Sequence, residues 1–185
     1  MCFPKTIKCN IAQKNIYYNL FKEIFMAEFK NAEEMLKNYT SHGCFVVAGD
    51  KPNVMTASWG LFGVMWGKKI AVVPIRDSRF TNGIVEKTKE LTLCVPFGDK
   101  FKAELLYCGT KSGRDVDKVK ELNLKISPAK KVNTFVIDGC DKYYECKVLQ
   151  TLNFNGQEIS DFVKSAYGEN PDYHNFYFAE IVEEY

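Results

Sequence analysis

The chain has 185 residues, of which 46% are apolar and 26% charged, and its formal net charge is +2. That length suits a single domain with its own core, and the composition is that of an ordinary soluble globular protein. A charge balance this even, with no dense run of cations, argues against a nucleic-acid surface, and no apolar run reaches the ~20 residues that span a bilayer.

In chain order, Ile16, Leu20 and Ile24 have helical spacing. A second helical pattern follows from Met26 in AEFKNAEEMLKNY, where Phe29, Ala32 and Leu36 share a face. We read residues 1–25 as an N-terminal extension with helical character and 26–185 as the domain; a chain starting at Met26 is expected to fold and function normally. From Cys44 the pattern becomes one of strands. CFVVAG, the turn DKPN and VMTASWG predict a hairpin, and LFGVMW and IAVVPI, separated by GKK, predict two more strands.

RDSRFTNGIVEKTKE is strand-like at its start and helical after Phe80, and LTLCVPF is apolar enough for a strand buried on both faces. Phe101, Leu105 and Cys108 mark the face of a short helix. In YCGTKSGRDVDKVKEL, Ser112 and Asp115 match a capping box, and Val116, Val119 and Leu122 supply an apolar face, so a helix is predicted from Ser112. NTFVIDG and KYYECKVLQTLNF predict antiparallel strands joined at Gly139–Asp141. QEISDFVKSAYG carries the helical stripe Ile159, Phe162, Val163 and Ala166, and YHNFYFAEIVEEY predicts a closing strand. With no regular βαβ rhythm, an antiparallel barrel with peripheral helices is favoured over a doubly wound sheet.

The seven cysteines are odd in number, lack a CxxC pair and fall partly inside apolar runs. They read as reduced small hydrophobes of a cytoplasmic protein rather than as a disulfide framework. The N-terminus has lysines but no apolar core of a signal peptide. The two histidines, His42 and His174, with Cys140 and Cys146 form no familiar ligand set, so no metal is expected. No GxSxG elbow accompanies either histidine, which leaves a hydrolase without support.

Anion binding has more to stand on. Arg76 and Arg79 flank Ser78 where a strand hands over to a helix, with Thr81 in the first turn. The plain alternative is a solvated turn in which Asp77 neutralises one arginine. Gly109 and Gly113 bracket Ser112, and Lys111, Arg114 and Lys118 crowd what reads as a helix start. Cations there are disfavoured by ~0.3–1 kcal/mol unless an anion is present, which leans towards an anion site over a simple capped helix. In MTASWG, Thr56 and Ser58 suit the polar edge of a flat ligand with Trp59 or Trp66 against it; an ordinary half-buried strand is the alternative.

Together, NVMTASWGLFGVMW, IRDSRFT and YCGTKSGRDVDKVKEL, in this order and with YHNFYFAEIV closing the chain, resemble the flavin reductase-like family of FMN-binding split barrels, flavoredoxin-type proteins included. The resemblance runs from about Met26 to Glu183. It implies a mainly β fold, a six-stranded antiparallel Greek-key split β-barrel with peripheral helices, pairing as a homodimer with FMN near the interface. By the same resemblance, Asn53, Thr56, Ala57, Ser58 and Trp59 would line the isoalloxazine and ribityl region. Arg76, Ser78, Arg79, Phe80 and Thr81 would hold the ribityl chain and phosphate. Ser112, Gly113 and Lys118 would complete the phosphate cradle, and His174 would lie near the flavin ring or the incoming reductant.

Two positions depart from the family pattern: Asp77 stands where many relatives carry proline, and Ala179 replaces the commoner glycine. The implied activity is an FMN-dependent oxidoreductase that takes a hydride from NADH or NADPH and passes electrons to a flavin, oxygen or a redox protein partner. A non-enzymatic FMN electron carrier is the alternative, and a flavin-free binding module a third reading. No dinucleotide fingerprint distinguishes NADH from NADPH. No nucleic-acid or membrane partner is expected.

Overall fold

The computed structural model describes residues 32–154, 159–169 and 171–185. The expected helix around Ile16–Ile24 lies outside them. Helix α1 (Ala32–Thr40) is present, but its inward face is not the one expected. Met35 and Asn38 are buried, whereas Leu36 is 55% exposed. Asn38 explains the choice: its amide donates to the carbonyls of Gly43 and Pro96, tying α1 to the start of one strand and the end of another.

β1 (Cys44–Ala48) and β2 (Asn53–Ala57) form the expected hairpin, in register from Cys44↔Ala57 to Ala48↔Asn53. β3 (Leu61–Met65) and β4 (Lys68–Arg76) form a second. Its turn is Trp66–Gly67, both at positive φ, rather than GKK, so Lys68 already belongs to the strand. Then follow α2 (Phe80–Thr88), β5 (Glu90–Val95), α3 (Lys102–Thr110) and α4 (Lys118–Glu121). The chain continues through β6 (Ile126–Pro128), β7 (Phe135–Ile137), β8 (Lys142–Asn153), α5 (Asp161–Tyr167) and β9 (His174–Glu184).

Among the described residues the main sheet has seven antiparallel strands, in the order β2-β1-β5-β8-β9-β4-β3, not the expected six. Register shifts in β8 after Glu145 and Val148 help it bend against β9. The sheet curls until β2 lies beside β4 with no ladder between them, leaving the barrel split along that seam. The expected hairpin across Gly139–Asp141 does not form: β7 pairs with β6 in a separate two-stranded ladder, while β8 pairs with β5 and β9. The short β7 is drawn instead onto the outside of β5, where Phe135 O accepts from the buried Thr92 hydroxyl at 2.6 Å.

Two cores result, and they explain why β1 and β5 are apolar on both faces. Inside the barrel, Val46, Ala48, Leu91, Leu93 and Val95 meet Val73, Tyr144, Tyr177 and Ala179. Outside it, Phe45, Val47 and Cys94 pack under α3 and the β6–β7 ladder with Leu105, Cys108, Val136 and Ile137. The five described cysteines are buried and unpaired, as small hydrophobes would be. No helix among the described residues is long and apolar enough to cross a membrane.

Candidate functional site

Strand β4 ends at Arg76 and the chain turns at once, Arg79 N donating to Arg76 O at 3.0 Å. Arg79 is the N-cap of α2 in an extended conformation, and no side chain caps that helix. Phe80 and Thr81, in its uncapped first turn, therefore face a cleft of about 420 Å³ together with Arg76, Ser78 and Arg79. The opposite wall runs from the end of α3 to the start of α4, where Thr110, Lys111, Ser112, Gly113, Arg114 and Lys118 line the same cleft. Arg114 ties the walls together: its guanidinium donates to Ser78 O at 2.8 Å and lies 5.5 Å over the Phe80 ring. Lys118 is buried, donates to Cys108 O at 3.2 Å, and has its pKa lowered, chiefly by that burial.

The helix expected from Ser112 is absent. Residues 113–115 form a turn in which Asp115 N and Val116 N donate to Ser112 O, at 3.1 and 3.2 Å. The short α4 starts only at Lys118, capped by Asp117, whose carboxylate accepts from Lys120 N. Gly113 gives the reason: a Cβ there would overlap Asn53 Oδ1 and press on Phe80, so the segment is pinned in close approach to β2 and α2. The cations of this segment thus surround a turn, not a helix start. The helix-dipole argument for an anion falls away, and convergence of the two segments on one cleft takes its place.

Asp77, which the plain alternative pairs with an arginine, is itself exposed and joins a polar network that runs inward to the buried Asn175 and Asn82. Its carboxylate accepts from Asn175 Nδ2 at 2.5 Å and from Asn153 Nδ2 at 3.5 Å, and its N–H donates to Tyr173 O. Asn175 also donates to Asn82 Oδ1, which accepts from Tyr177 OH at 2.6 Å. These hydrogen bonds hold the turn after β4.

Three hollows among the described residues adjoin the cleft, one of them, of about 900 Å³, across Phe80, Gly113, Arg114 and Lys118 and bordered by Asn53. Through Thr110 the cleft meets another of about 850 Å³ between the end of β2 and α3, lined by Thr56, Ser58, Phe101, Leu105 and Leu106 among others. The Thr56 hydroxyl donates to Leu105 O at 2.6 Å, and Ala57 is buried in the barrel core. Asn53 is buried between the walls and donates to Thr81 Oγ1 at 2.7 Å. Through Arg76 the cleft meets the third hollow, of about 490 Å³, lined by Trp59, Phe154, Phe162, Tyr167, His174 and Phe176 among others.

His174 stands opposite Arg76 in the β4–β9 register. Its ring lies 4.8 Å from the Trp59 ring, and its Nδ1 is 2.7 Å from the Tyr167 hydroxyl. Burial first, and then the Arg76 charge, lower its pKa to about 4. The imidazole is therefore neutral near pH 7. The stripe predicted on α5 is not buried: no residue of that helix is, and Phe162 is 83% exposed at the rim of this hollow.

The binding residues singled out from sequence thus line the cleft and its neighbouring hollows, except Ala57, which lies in the barrel core, and Trp66, which packs against Phe178 at the β3–β4 turn. Sequence reading missed Thr110, Tyr167 and Asp172. Asp172 accepts from Ser78 N and Ser78 Oγ at 3.1 and 2.6 Å, with Arg76 3.9 Å away. Its PDYH context carries no motif that would have signalled this.

Residues 36–183 match the model of the flavin reductase like domain, and the chain belongs to that family. An uncharacterised protein of Archaeoglobus fulgidus is 32% identical over 108 residues, 58% of this chain and 60% of that relative, so the match spans less than two thirds of its length. Among solved structures, flavoredoxin of Desulfovibrio vulgaris shares the fold with a TM-score of 0.61 at 19% identity, over 77% of this chain and 67% of its own. An FMN-binding protein of Thermus thermophilus has a TM-score of 0.57 at 21% identity, over 77% and 68%. The NADH:FAD oxidoreductase of Streptomyces globisporus has a TM-score of 0.57 at 14% identity, over 77% and 72%.

Proposed function

We propose that the protein is an FMN-dependent oxidoreductase that takes a hydride from NADH or NADPH and passes electrons to a flavin, oxygen or a redox-partner protein. The observation that carries this is the convergence of the RDSRFT and TKSGR segments on one cleft. Arg76, Arg79, Lys111, Arg114 and Lys118 bring cationic groups to it, and Asp172 is its one carboxylate among the described residues. The residues fit a flavin mononucleotide. Ser78, Thr81 and Ser112 bring hydroxyls, α2 brings uncapped N–H groups, and Gly113 keeps the floor free of a side chain. FMN, when bound, supplies the hydride-accepting ring, so the protein needs no nucleophile or metal of its own.

In this reading Arg76, Ser78, Arg79, Phe80, Thr81, Ser112, Gly113 and Lys118 hold the ribityl chain and phosphate. Asn53, Thr56, Ala57, Ser58 and Trp59 border the ring. His174, neutral and held by Tyr167, presents an uncharged edge to ring or reductant. The names of the Thermus and Streptomyces proteins, FMN-binding and NADH-oxidising, support the same assignment. The homodimer belongs to this proposal too: edge strand β3 and the turn after it expose Leu61, Val64, Met65 and Trp66, apolar groups that a second copy would cover.

A second reading, an FMN electron carrier, draws on the exposed Phe162 and Trp59 beside the His174 hollow, where another protein could dock. The absorption spectrum separates the readings. The protein should be yellow as purified or after addition of FMN, and anaerobic NADH or NADPH should bleach it. Colourless protein that takes up no FMN rules out both, whereas yellow protein bleached by neither nucleotide favours the carrier.

A further inference from the structure

The cleft that gathers these cations already holds a negative group of its own. Asp172, in the lead-in to β9, sets both carboxylate oxygens on Ser78: Oδ1 accepts from the backbone N–H at 3.1 Å and Oδ2 from the hydroxyl at 2.6 Å. Arg76 stands 3.9 Å from Oδ2. A carboxylate gripping one N–H, one O–H and an arginine uses the donors that a phosphate would use in the same place. Ser78 has a single N–H and a single hydroxyl proton, so it cannot direct both at a second anion while Asp172 holds them.

We propose that Asp172 is a resident occupant of the phosphate seat, which the FMN phosphate must displace to bind, so that the protein takes up and releases FMN readily instead of retaining it. This rests on the FMN reading above and adds to it a residue that sets cofactor affinity by opposing the ligand. The carboxylate compensates Arg76 and Ser78 in the empty cleft, and on displacement it remains nearby as a like charge, so it weakens binding of the dianion twice over. Riboflavin has the same ring and ribityl chain without the phosphate, and it meets no such competition.

The test is a titration of the full-length protein and its Asp172→Asn variant with FMN and with riboflavin, read by quenching of flavin fluorescence. The carboxamide keeps the size of the side chain and one acceptor for Ser78 but loses the charge. FMN should bind about tenfold more tightly to the variant, about 1.4 kcal/mol, and dissociate more slowly, while riboflavin affinity stays within about twofold. Asp172→Ala, which removes the occupant altogether, should shift FMN in the same direction. FMN affinity unchanged or weakened in both variants, with wild-type protein binding FMN, overturns the role of Asp172 and leaves the FMN reading standing. Wild-type protein that binds neither flavin overturns the FMN reading and this inference with it. Equal tightening of FMN and riboflavin also overturns it, because the effect would then lie with the ring and not the phosphate.

Discussion

Gly113 has no room for a side chain, because a Cβ would overlap Asn53 Oδ1 and reach the Phe80 ring. Gly113→Ala must therefore push the 112–114 turn away from α2, and FMN affinity is expected to fall by about tenfold or more with only a modest change in Tm. Arg79→Ala and Lys118→Ala should each weaken FMN binding by about tenfold in a protein that still folds; unchanged affinity in both would place the phosphate elsewhere. His174 gives a prediction in pH. Its folded pKa, about 4, lies below the ordinary value of 6.5. The unfolded chain thus binds the proton more readily between those values, and stability is present above about pH 6.5 and lost as pH falls towards 4. The difference is on the order of 2–3 kcal/mol. Denaturant titrations of wild type and His174→Gln from pH 7.5 to 4 should show a steeper acid loss for wild type, and parallel curves would refute the assignment.

At the scale of elements, the legible parts of the sequence were those whose pattern is local. The β1–β2 hairpin, the doubly buried β5, the start of α2 at Phe80 and the closing β9 all carry their signal within a few residues. What could not be read depends on distant partners. Ser112 and Asp115 look like a capping box until Asn53, sixty residues earlier in the chain, is set beneath Gly113. β7 looks like half of a hairpin until Thr92 and the β5 surface claim it. α1 turns Asn38 inward because Gly43 and Pro96 offer carbonyls, a contact that helical spacing cannot show. The cationic cleft was legible as two separate segments; their meeting was not, and neither was Asp172. The Asp77–Asn175–Asn82–Tyr177 network is the same kind of long-range fact, joining the RDSR turn to α2 and β9. Asn175 is buried, and Asn175→Leu removes a donor shared by Asp77 Oδ1 and Asn82 Oδ1, leaving Tyr177 as the remaining donor to Asn82 and an apolar side chain against the two oxygens. A loss of about 2–4 kcal/mol is expected by denaturant unfolding, together with weaker FMN binding as the turn loosens. Full stability in that variant would show that the network does not hold the turn.

At the scale of the whole molecule, the sheet ends at β3, an edge with Leu61 66% and Trp66 60% exposed. Such an edge in a lone chain invites association, and the homodimer proposed above would satisfy it. Sedimentation should give twice the 21.2 kDa of one chain, and the double variant Leu61→Glu/Trp66→Glu should sediment as a monomer. A wild type that stays monomeric at high concentration would count against the dimer. Arg76 borders the cationic cleft on one side and the aromatic hollow of Trp59 and His174 on the other. One guanidinium shared by two sites makes them a linked pair. By whatever factor an anion in the cleft alters affinity for a guest in the hollow, that guest must alter affinity for the anion by the same factor.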